Sequence, residues 1–160
     1  MAKTENTISD TTFGLYGKEL LDVNFIFGEM WRTQGRMVFS KEYDTAALEI
    51  VDGKFRISFN KNYWSKLKKK ERLFVICHEY MHVILGHWLN PGIENEWLNI
   101  AQDIQVNEYL ISNTHLQVPS DDFCTIDSVF KDKAYKVELK REYQYYYGLI
   151  MKCLPDSEKR

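Results

Sequence analysis

The chain has 160 residues, of which 44% are hydrophobic and 28% are charged, and its formal net charge at pH 7 is −2. This size and composition fit one soluble domain with a core large enough to fold unaided. Lys and Arg do not exceed Asp and Glu, whereas domains that bind nucleic acid usually carry a basic excess. We therefore expect no nucleic-acid partner.

The cysteines and the N-terminus indicate where the protein acts. Cys77, Cys124 and Cys153 are an odd number without CxxC spacing, which favours reduced thiols over a disulfide framework. The opening "MAKTENTISDTTFG" lacks the apolar core of a signal peptide, and no run approaches the ~18 apolar residues of a membrane span. We expect a cytoplasmic protein with no membrane partner.

The first half of the chain predicts a helix followed by a hairpin. We expect residues 1–11 to be disordered, residues 12–154 to form a single domain and residues 155–160 to be a polar tail. The apolar spacing of "FGLYGKELLDVNFIFGEMW" predicts one helix. The stretch "TAALEIVDGKFRISFN" predicts a hairpin, because Asp52-Gly53 suits a type I′ turn between two strand-like runs.

The second half predicts three more helices. The charged run Lys68 to Arg72 is typical of the solvated start of a helix, and the apolar helix that follows is expected from about Lys69 to Gly86 or His87, closed by a turn at Asn90-Pro91-Gly92. Another helix is predicted over residues 94–111, mostly irregular chain over 112–136, and a last helix over "VELKREYQYYYGLIMKCL". The expected fold class is α+β, with a small antiparallel sheet or hairpin packed on the buried apolar helix and a second helix beside it.

The apolar helix carries the motif HExxH, as His78-Glu79-Tyr80-Met81-His82. Positions four apart lie about 40° apart around a helix axis, so both imidazoles project from one face and can reach a single zinc ion. Glu79 is rotated too far round to bind the same ion but can reach a water at the metal. This is the general-base position of metallopeptidases.

A catalytic zinc site needs a third protein ligand, and the sequence offers three candidates. Asp103 lies on the next helix, where Asn99, Asp103 and Asn107 form an i, i+4, i+8 polar stripe among apolar residues. We favour Asp103 as the ligand; its alternative role is to orient a zinc-bound histidine. Glu108 is expected to face solvent.

His87 is the remaining candidate. On a continuous helix it would point about 180° away from His78, so it binds the metal only if the chain unwinds at Gly86. Its spacing also differs from the HExxHxxGxxH pattern.

The chain resembles a known family, the metallopeptidase domain that often precedes a von Willebrand factor A-like module in bacterial and phage proteins. The residues that carry the resemblance run from Thr45 to Ile111: the Asp52-Gly53 hairpin, "RISFN", "NKNYWSKL", "LFVICHEYMHVILGHWLN" and "WLNIAQDIQVNEYLI", with a weaker match in "EYQYYYGLI". The last long segment is similar to the family's W-N-x-A-x-D-x-x-x-N helix. The resemblance implies a zincin-like fold, and site roles for His87 and Asp103. It also suggests a phage origin, hence a host cytoplasm, and we expect any function that requires the A-like module to be absent or supplied by another protein.

The predicted function is zinc-dependent hydrolysis of peptide bonds, with one zinc ion and Glu79 as general base. An extended peptide could pair with an edge strand bearing Phe55, Ile57 and Phe59, and His87, Tyr80 or Tyr109 could stabilise the oxyanion.

The alternative prediction is a catalytically inert scaffold with a structural zinc that binds a protein partner. Its zinc would be closed by four protein ligands: His78, His82, His87 and Asp103. Its partner could bind the tyrosine-rich C-terminal helix, if Tyr143, Tyr145, Tyr146 and Tyr147 form an exposed patch.

Overall fold

The computed structural model describes residues 6–7, 10–34, 36–89, 95–120, 122–131 and 136–155. Their fold is α+β, as the sequence predicts. The helices are α1 (Asp10–Val23), α2 (Phe25–Gln34), α3 (Lys61–Lys66), α4 (Lys69–Ile84), α5 (Glu96–Asn113), α6 (Ile126–Val129) and α7 (Tyr143–Cys153), with a short 3-10 turn at His87–Leu89. The strands are β1 (Asn6–Thr7), β2 (Arg36–Ser40), β3 (Ala46–Val51) and β4 (Lys54–Asn60).

The predicted hairpin is confirmed as β3 and β4, which pair in antiparallel register from Ala46 opposite Phe59 to Val51 opposite Lys54. The two turn residues have positive φ, 52° for Asp52 and 72° for Gly53. Both values belong to a type I′ turn, whose twist matches that of the flanking strands. Asp and Gly tolerate these angles better than β-branched residues do, which is why this dipeptide locates the turn.

The sheet is mixed, and the prediction of an antiparallel sheet is wrong for one of its strand pairs, since β1 and β2 are antiparallel as well. Its strand order is β1-β2-β4-β3, and β2 runs parallel to β4. β4 therefore pairs on both sides, so the prediction that Phe55, Ile57 and Phe59 lie on an edge strand is also wrong. Ile57 and Phe59 are 1% and 0% exposed. In the described sheet, β3 is the edge beyond β4.

The first predicted helix is two helices, because the chain breaks at Asn24. The side-chain oxygen of Asn24 accepts a hydrogen bond from the backbone N–H of Ile26 at 2.9 Å, and its carbonyl accepts one from Phe27 at 3.0 Å. Asn readily competes with helical hydrogen bonds in this way. The helical spacing continues through the break, so periodicity alone could not locate it.

Helix α4 is the buried centre of the fold, as its all-round apolar sequence predicts. Nine consecutive residues, from Leu73 to Met81, are buried, and they contact α1, α2, α5 and β3. The backbone N–H of Lys68 donates to Glu71 Oε2 at 2.6 Å at the start of the helix, which satisfies one of the free donors there. The helix ends two or three residues earlier than predicted, at Ile84.

Helix α5 lies between two groups of core residues. Val106 and Leu110 belong to the group around α4, whereas Ala101 and Ile104 pack with Tyr146 of α7. The predicted bounds of α5 are close to the observed ones, and α7 is shorter than predicted because residues 137–142 are not helical. Within the described residues of 112–136, the predicted irregular chain contains the short helix α6.

Several predictions fall wholly or partly outside the described residues. The turn at 90–92 lies outside them, and so does the polar tail apart from residue 155. In the N-terminal segment predicted to be disordered, the strand Asn6–Thr7 and the start of α1 are described, while residues 1–5 and 8–9 are not. No helix in the described ranges has the length and apolar character to span a membrane.

Candidate metal centre

The two histidines of the HExxH motif present their outer ring nitrogens to each other on one face of α4. Nε2 of His82 lies 3.1 Å from Nε2 of His78. His78 is only 8% exposed, since it lies on the part of α4 that is enclosed by the sheet and α5. Two imidazole nitrogens so close together in a buried setting need a proton or a cation between them.

Asp103 of α5 supplies the third donor atom. Its Oδ1 is 3.5 Å from His78 Nε2 and 3.1 Å from His82 Nε2. Atoms that bind one tetrahedral zinc ion at 2.0–2.1 Å are about 3.3 Å apart, so the triangle of two nitrogens and one oxygen has the size that zinc requires. Among the described residues, His78, His82 and Asp103 form the group that could hold a metal ion.

The polar stripe on α5 places all three of its members at this site. Asn107 is fully buried, and its Oδ1 lies 2.8 Å from His78 Nδ1, while its Nδ2 donates to the carbonyl of Cys124 at 2.9 Å. That second bond fixes the amide orientation, so His78 donates from Nδ1 and its Nε2 is the atom left to bind a proton or a metal ion. Asn99 lines the same cavity as His78, His82 and Asp103.

His87 lies on the far side of His82 from Asp103. Gly86 has a φ of 72°, and this left-handed turn after α4 brings the His87 ring back onto the helix. His87 Nδ1 is 2.9 Å from Nδ1 of His82, and its Nε2 is 3.1 Å from Gln105 Oε1. In this arrangement His87 contacts His82 and is not part of the donor triangle.

Glu79 is buried beside the triangle, 9% exposed. Burial raises the pKa of its carboxyl group, while the charges of His78 and His82 and a hydrogen bond from the Leu48 backbone oppose that rise. A carboxylate with a raised pKa at a metal site is suited to accept and return a proton.

The charges at the site are strongly coupled in the absence of a metal. Burial alone would lower the pKa of His78, but hydrogen bonding to Asp103 and the Asp103 charge outweigh it and raise the pKa to about 9. Burial acts against ionisation of Asp103, yet its two histidine partners hold the pKa of this carboxyl well below its usual range. Burial and the charge of His82 lower the pKa of His87 to about 4.

An open cavity of about 670 Å³ lies over these residues. One side of the cavity is formed by residues 45–48, at the start of β3 and along its outer edge. Residues 120 and 122–124 and Trp88 also line it. The ring centroid of Phe123 is 6.2 Å from that of His78 in an edge-on arrangement. The cavity therefore has the outer edge of a strand along one wall, beside the donor triangle.

Several residues predicted for the site lie elsewhere. Glu108 is half-buried and accepts a hydrogen bond from the backbone N–H of Ile126 at 2.8 Å, so the prediction that it faces solvent is wrong. Tyr80 is 1% exposed in the core and Tyr109 is 41% exposed, and neither lines the cavity. Cys77 is buried, and burial raises the pKa of its thiol.

The C-terminal tyrosines pack inward. Tyr146 is fully buried, and Tyr143, Tyr145 and Tyr147 pack against the same group of core residues. The Tyr147 hydroxyl accepts a hydrogen bond from Asn95 Nδ2 at 3.1 Å. These contacts leave no exposed tyrosine patch on α7 for a partner to bind.

Several residues at the site were not predicted from the sequence, among them Tyr63, Phe123 and Gln105. Tyr63 and Phe123 line the cavity, and Gln105 bonds to His87. Tyr63 and Phe123 come from segments without a motif, and Gln105 lies off the Asn99, Asp103 and Asn107 stripe. Gln105 is two residues from both Asp103 and Asn107, a spacing that does not place it on the same helix face and so did not indicate a role at the site.

The chain matches the family model described as "Putative metallopeptidase domain" over residues 31–152. It belongs to this family. The match spans α4, α5 and α7 and so includes every residue of the donor triangle. The chain matches no curated protein and no solved structure.

Proposed function

We propose that this protein is a zinc-dependent metallopeptidase with a zincin-like site, in which His78, His82 and Asp103 hold one zinc ion. The observation that carries the proposal is the triangle of donor atoms, with separations of 3.1 Å, 3.5 Å and 3.1 Å, at an open cavity beside a buried glutamate. The donor set of two imidazoles and one carboxylate suits zinc. Membership of a metallopeptidase family supports peptide hydrolysis as the reaction.

Three ligands leave a position open for water and substrate, as catalytic zinc sites do. When bound, the ion would lower the pKa of water toward ~7 and polarise the scissile carbonyl. Glu79 would take the proton of the attacking water and pass it to the leaving amine. Asn107 would hold His78 in the tautomer that is protonated on Nδ1, which leaves Nε2 to bind the ion. The hydrogen bond from the Asn107 amide nitrogen to Cys124 fixes the orientation of the Asn107 side chain.

The substrate would pair with the outer edge of β3. Asn60 donates to the carbonyl of Thr45 at 2.7 Å, and hydrogen-bonded pairs alternate along an antiparallel ladder. Ala46, Leu48 and Ile50 therefore direct their backbone N–H and C=O groups away from β4. Leu48 uses its N–H for Glu79, which leaves the neighbouring groups for an extended peptide.

Tyr63 would stabilise the oxyanion. It lines the cavity with Glu79, and burial together with the charges of Glu79 and Glu71 raises its pKa to about 12. The phenol therefore keeps its proton at neutral pH and can donate it in a hydrogen bond to a developing negative charge. Both ring nitrogens of His87, by contrast, are occupied by His82 and Gln105.

The test is hydrolysis of a mixed peptide library by the zinc-loaded protein, its Glu79→Gln variant and a Glu96→Gln control on an exposed turn of α5. We expect Glu79→Gln to keep zinc and fold and to lose about 10²- to 10⁴-fold in rate, and Glu96→Gln to match the wild type. Undiminished hydrolysis in Glu79→Gln would remove Glu79 from the mechanism. Zinc binding by the wild type without hydrolysis of any peptide would favour the inert scaffold.

A further inference from the structure

A histidine that binds a metal through Nε2 carries its remaining proton on Nδ1 and needs an acceptor for it. For His78 that acceptor is the Asn107 side chain. For His82 the corresponding acceptor is Nδ1 of His87, which lies 2.9 Å from Nδ1 of His82. His87 is 7% exposed, so this contact is largely shielded from water, and an N–H left without an acceptor there would be unfavourable.

His87 can accept at Nδ1 only if its own proton is on Nε2, and Gln105 favours that tautomer. Nε2 of His87 lies 3.1 Å from Gln105 Oε1. The same oxygen accepts the backbone N–H of Tyr143 at 3.2 Å, and the amide nitrogen of Gln105 donates to Glu142 Oε2 at 2.7 Å. These two bonds to α7 fix which end of the Gln105 amide faces His87.

We propose that His87 and Gln105 are positioning residues. They hold His82 in the tautomer that carries its proton on Nδ1, which leaves Nε2, the atom beside Asp103, to bind zinc. They therefore strengthen zinc binding without contacting the metal. The proposal deepens the metal site on which the proposed function rests. The hydrogen-bonded series runs from the first turn of α7 through Gln105 and His87 to His82. It gives the second zinc-binding histidine a partner equivalent to the one that Asn107 gives the first.

The test is the zinc dissociation constant of the full chain, measured by competition with a chromophoric chelator. His87→Leu removes the acceptor and keeps a side chain of similar volume, whereas His87→Asn is smaller but retains an acceptor oxygen close to the position of Nδ1. We expect His87→Leu and Gln105→Leu to weaken zinc binding about 10- to 100-fold, as loss of such partners does at other metal sites. We expect His87→Asn to restore most of the affinity, and His115→Leu, on an exposed segment, to leave it unchanged.

Two spectra distinguish a positioning role of His87 from a direct bond between His87 and zinc, or from a packing role. Zinc-edge X-ray absorption of His87→Leu should show the wild-type number of imidazole ligands, and long-range ¹H–¹⁵N spectra of the zinc-loaded wild type should show His82 protonated at Nδ1. Loss of one imidazole from the metal would make His87 a ligand and overturn the proposal. Equal weakening in His87→Asn and His87→Leu, or unchanged affinity in both, would also overturn it.

The readout does not depend on hydrolysis, so the two proposals can fail separately. A wild type that binds zinc and shows these differences but cleaves no peptide would retain the positioning role and lose the peptidase function. A wild type that binds no zinc would refute both.

Discussion

Oδ1 of Asp103 on α5 lies 3.1 Å from Nε2 of His82 on α4. This contact joins the helix that carries HExxH to the helix that follows it, and it completes a donor set that neither helix has alone. Its effects on protonation, on the surrounding turn and on metal binding can each be measured.

The metal-free protein should lose stability as the pH rises from neutral into the alkaline range. The pKa of His78 is raised from 6.5 to about 9 in the folded state, so the folded protein binds this proton more tightly than the unfolded chain does. Its stabilising contribution is complete below about pH 6.5 and is lost as the pH passes 9. Urea unfolding in the presence of a chelator, at pH values from 6 to 10, should show the decrease.

Asp103→Asn is the control for this prediction, because it removes the charge that raises the pKa of His78. The decrease in stability over the same pH range should become shallower in that variant. An identical pH profile in the wild type and in Asp103→Asn would contradict the coupling between these two groups.

Proline substitutions should distinguish the two sides of β3. Ala47 faces Ser58 in the ladder and, by the alternation that starts at Thr45 and Asn60, its N–H bonds to β4. Ala47→Pro should therefore destabilise the protein by about 1–3 kcal/mol, because it leaves a carbonyl of the ladder without its donor. Ala46→Pro removes an N–H that faces the cavity, so thermal unfolding should show a much smaller loss.

The same pair tests how substrate binds. Peptide cleavage by Ala46→Pro should show a raised KM with a smaller effect on kcat, because the lost group pairs with the substrate main chain and does not act on the scissile bond. An unchanged KM would place the substrate elsewhere in the cavity.

Gly86 should be sensitive to the addition of a single methyl group. Its φ of 72° is unfavourable for residues with a side chain, and a Cβ there would lie 3.2 Å from Leu89 Cδ1. Gly86→Ala should cost about 1 kcal/mol of stability and disturb the turn that brings His87 onto His82, so zinc affinity should fall with stability. Gly53→Ala is a matched control, since it has the same φ with open space around it and lies in the hairpin turn. Gly53→Ala should lose stability without losing zinc affinity.

The sequence predicted those features that depend on local spacing. The Asp52-Gly53 turn and the buried α4 follow from residue type and periodicity, and HExxH places two imidazoles on one face of any helix. It could not predict the parallel pairing of β2 with β4, since that pairing depends on contacts between distant segments. It could not locate the break at Asn24 either, because the helical spacing of apolar residues continues through it. At the site, the stripe on α5 singled out Asp103, whereas Gln105 and Tyr63 required knowledge of how α7 and α3 pack.

The most direct test of the account is zinc-edge X-ray absorption, with metal content, on the wild type, Asp103→Ala and an Asp122→Ala control. Asp122 also lines the cavity but lies outside the donor triangle. We expect one zinc ion with two imidazoles, one carboxylate and one water in the wild type and in Asp122→Ala, and loss of the carboxylate with much weaker binding in Asp103→Ala. Four protein ligands and no water, or an unchanged zinc environment in Asp103→Ala, would contradict the proposed catalytic centre.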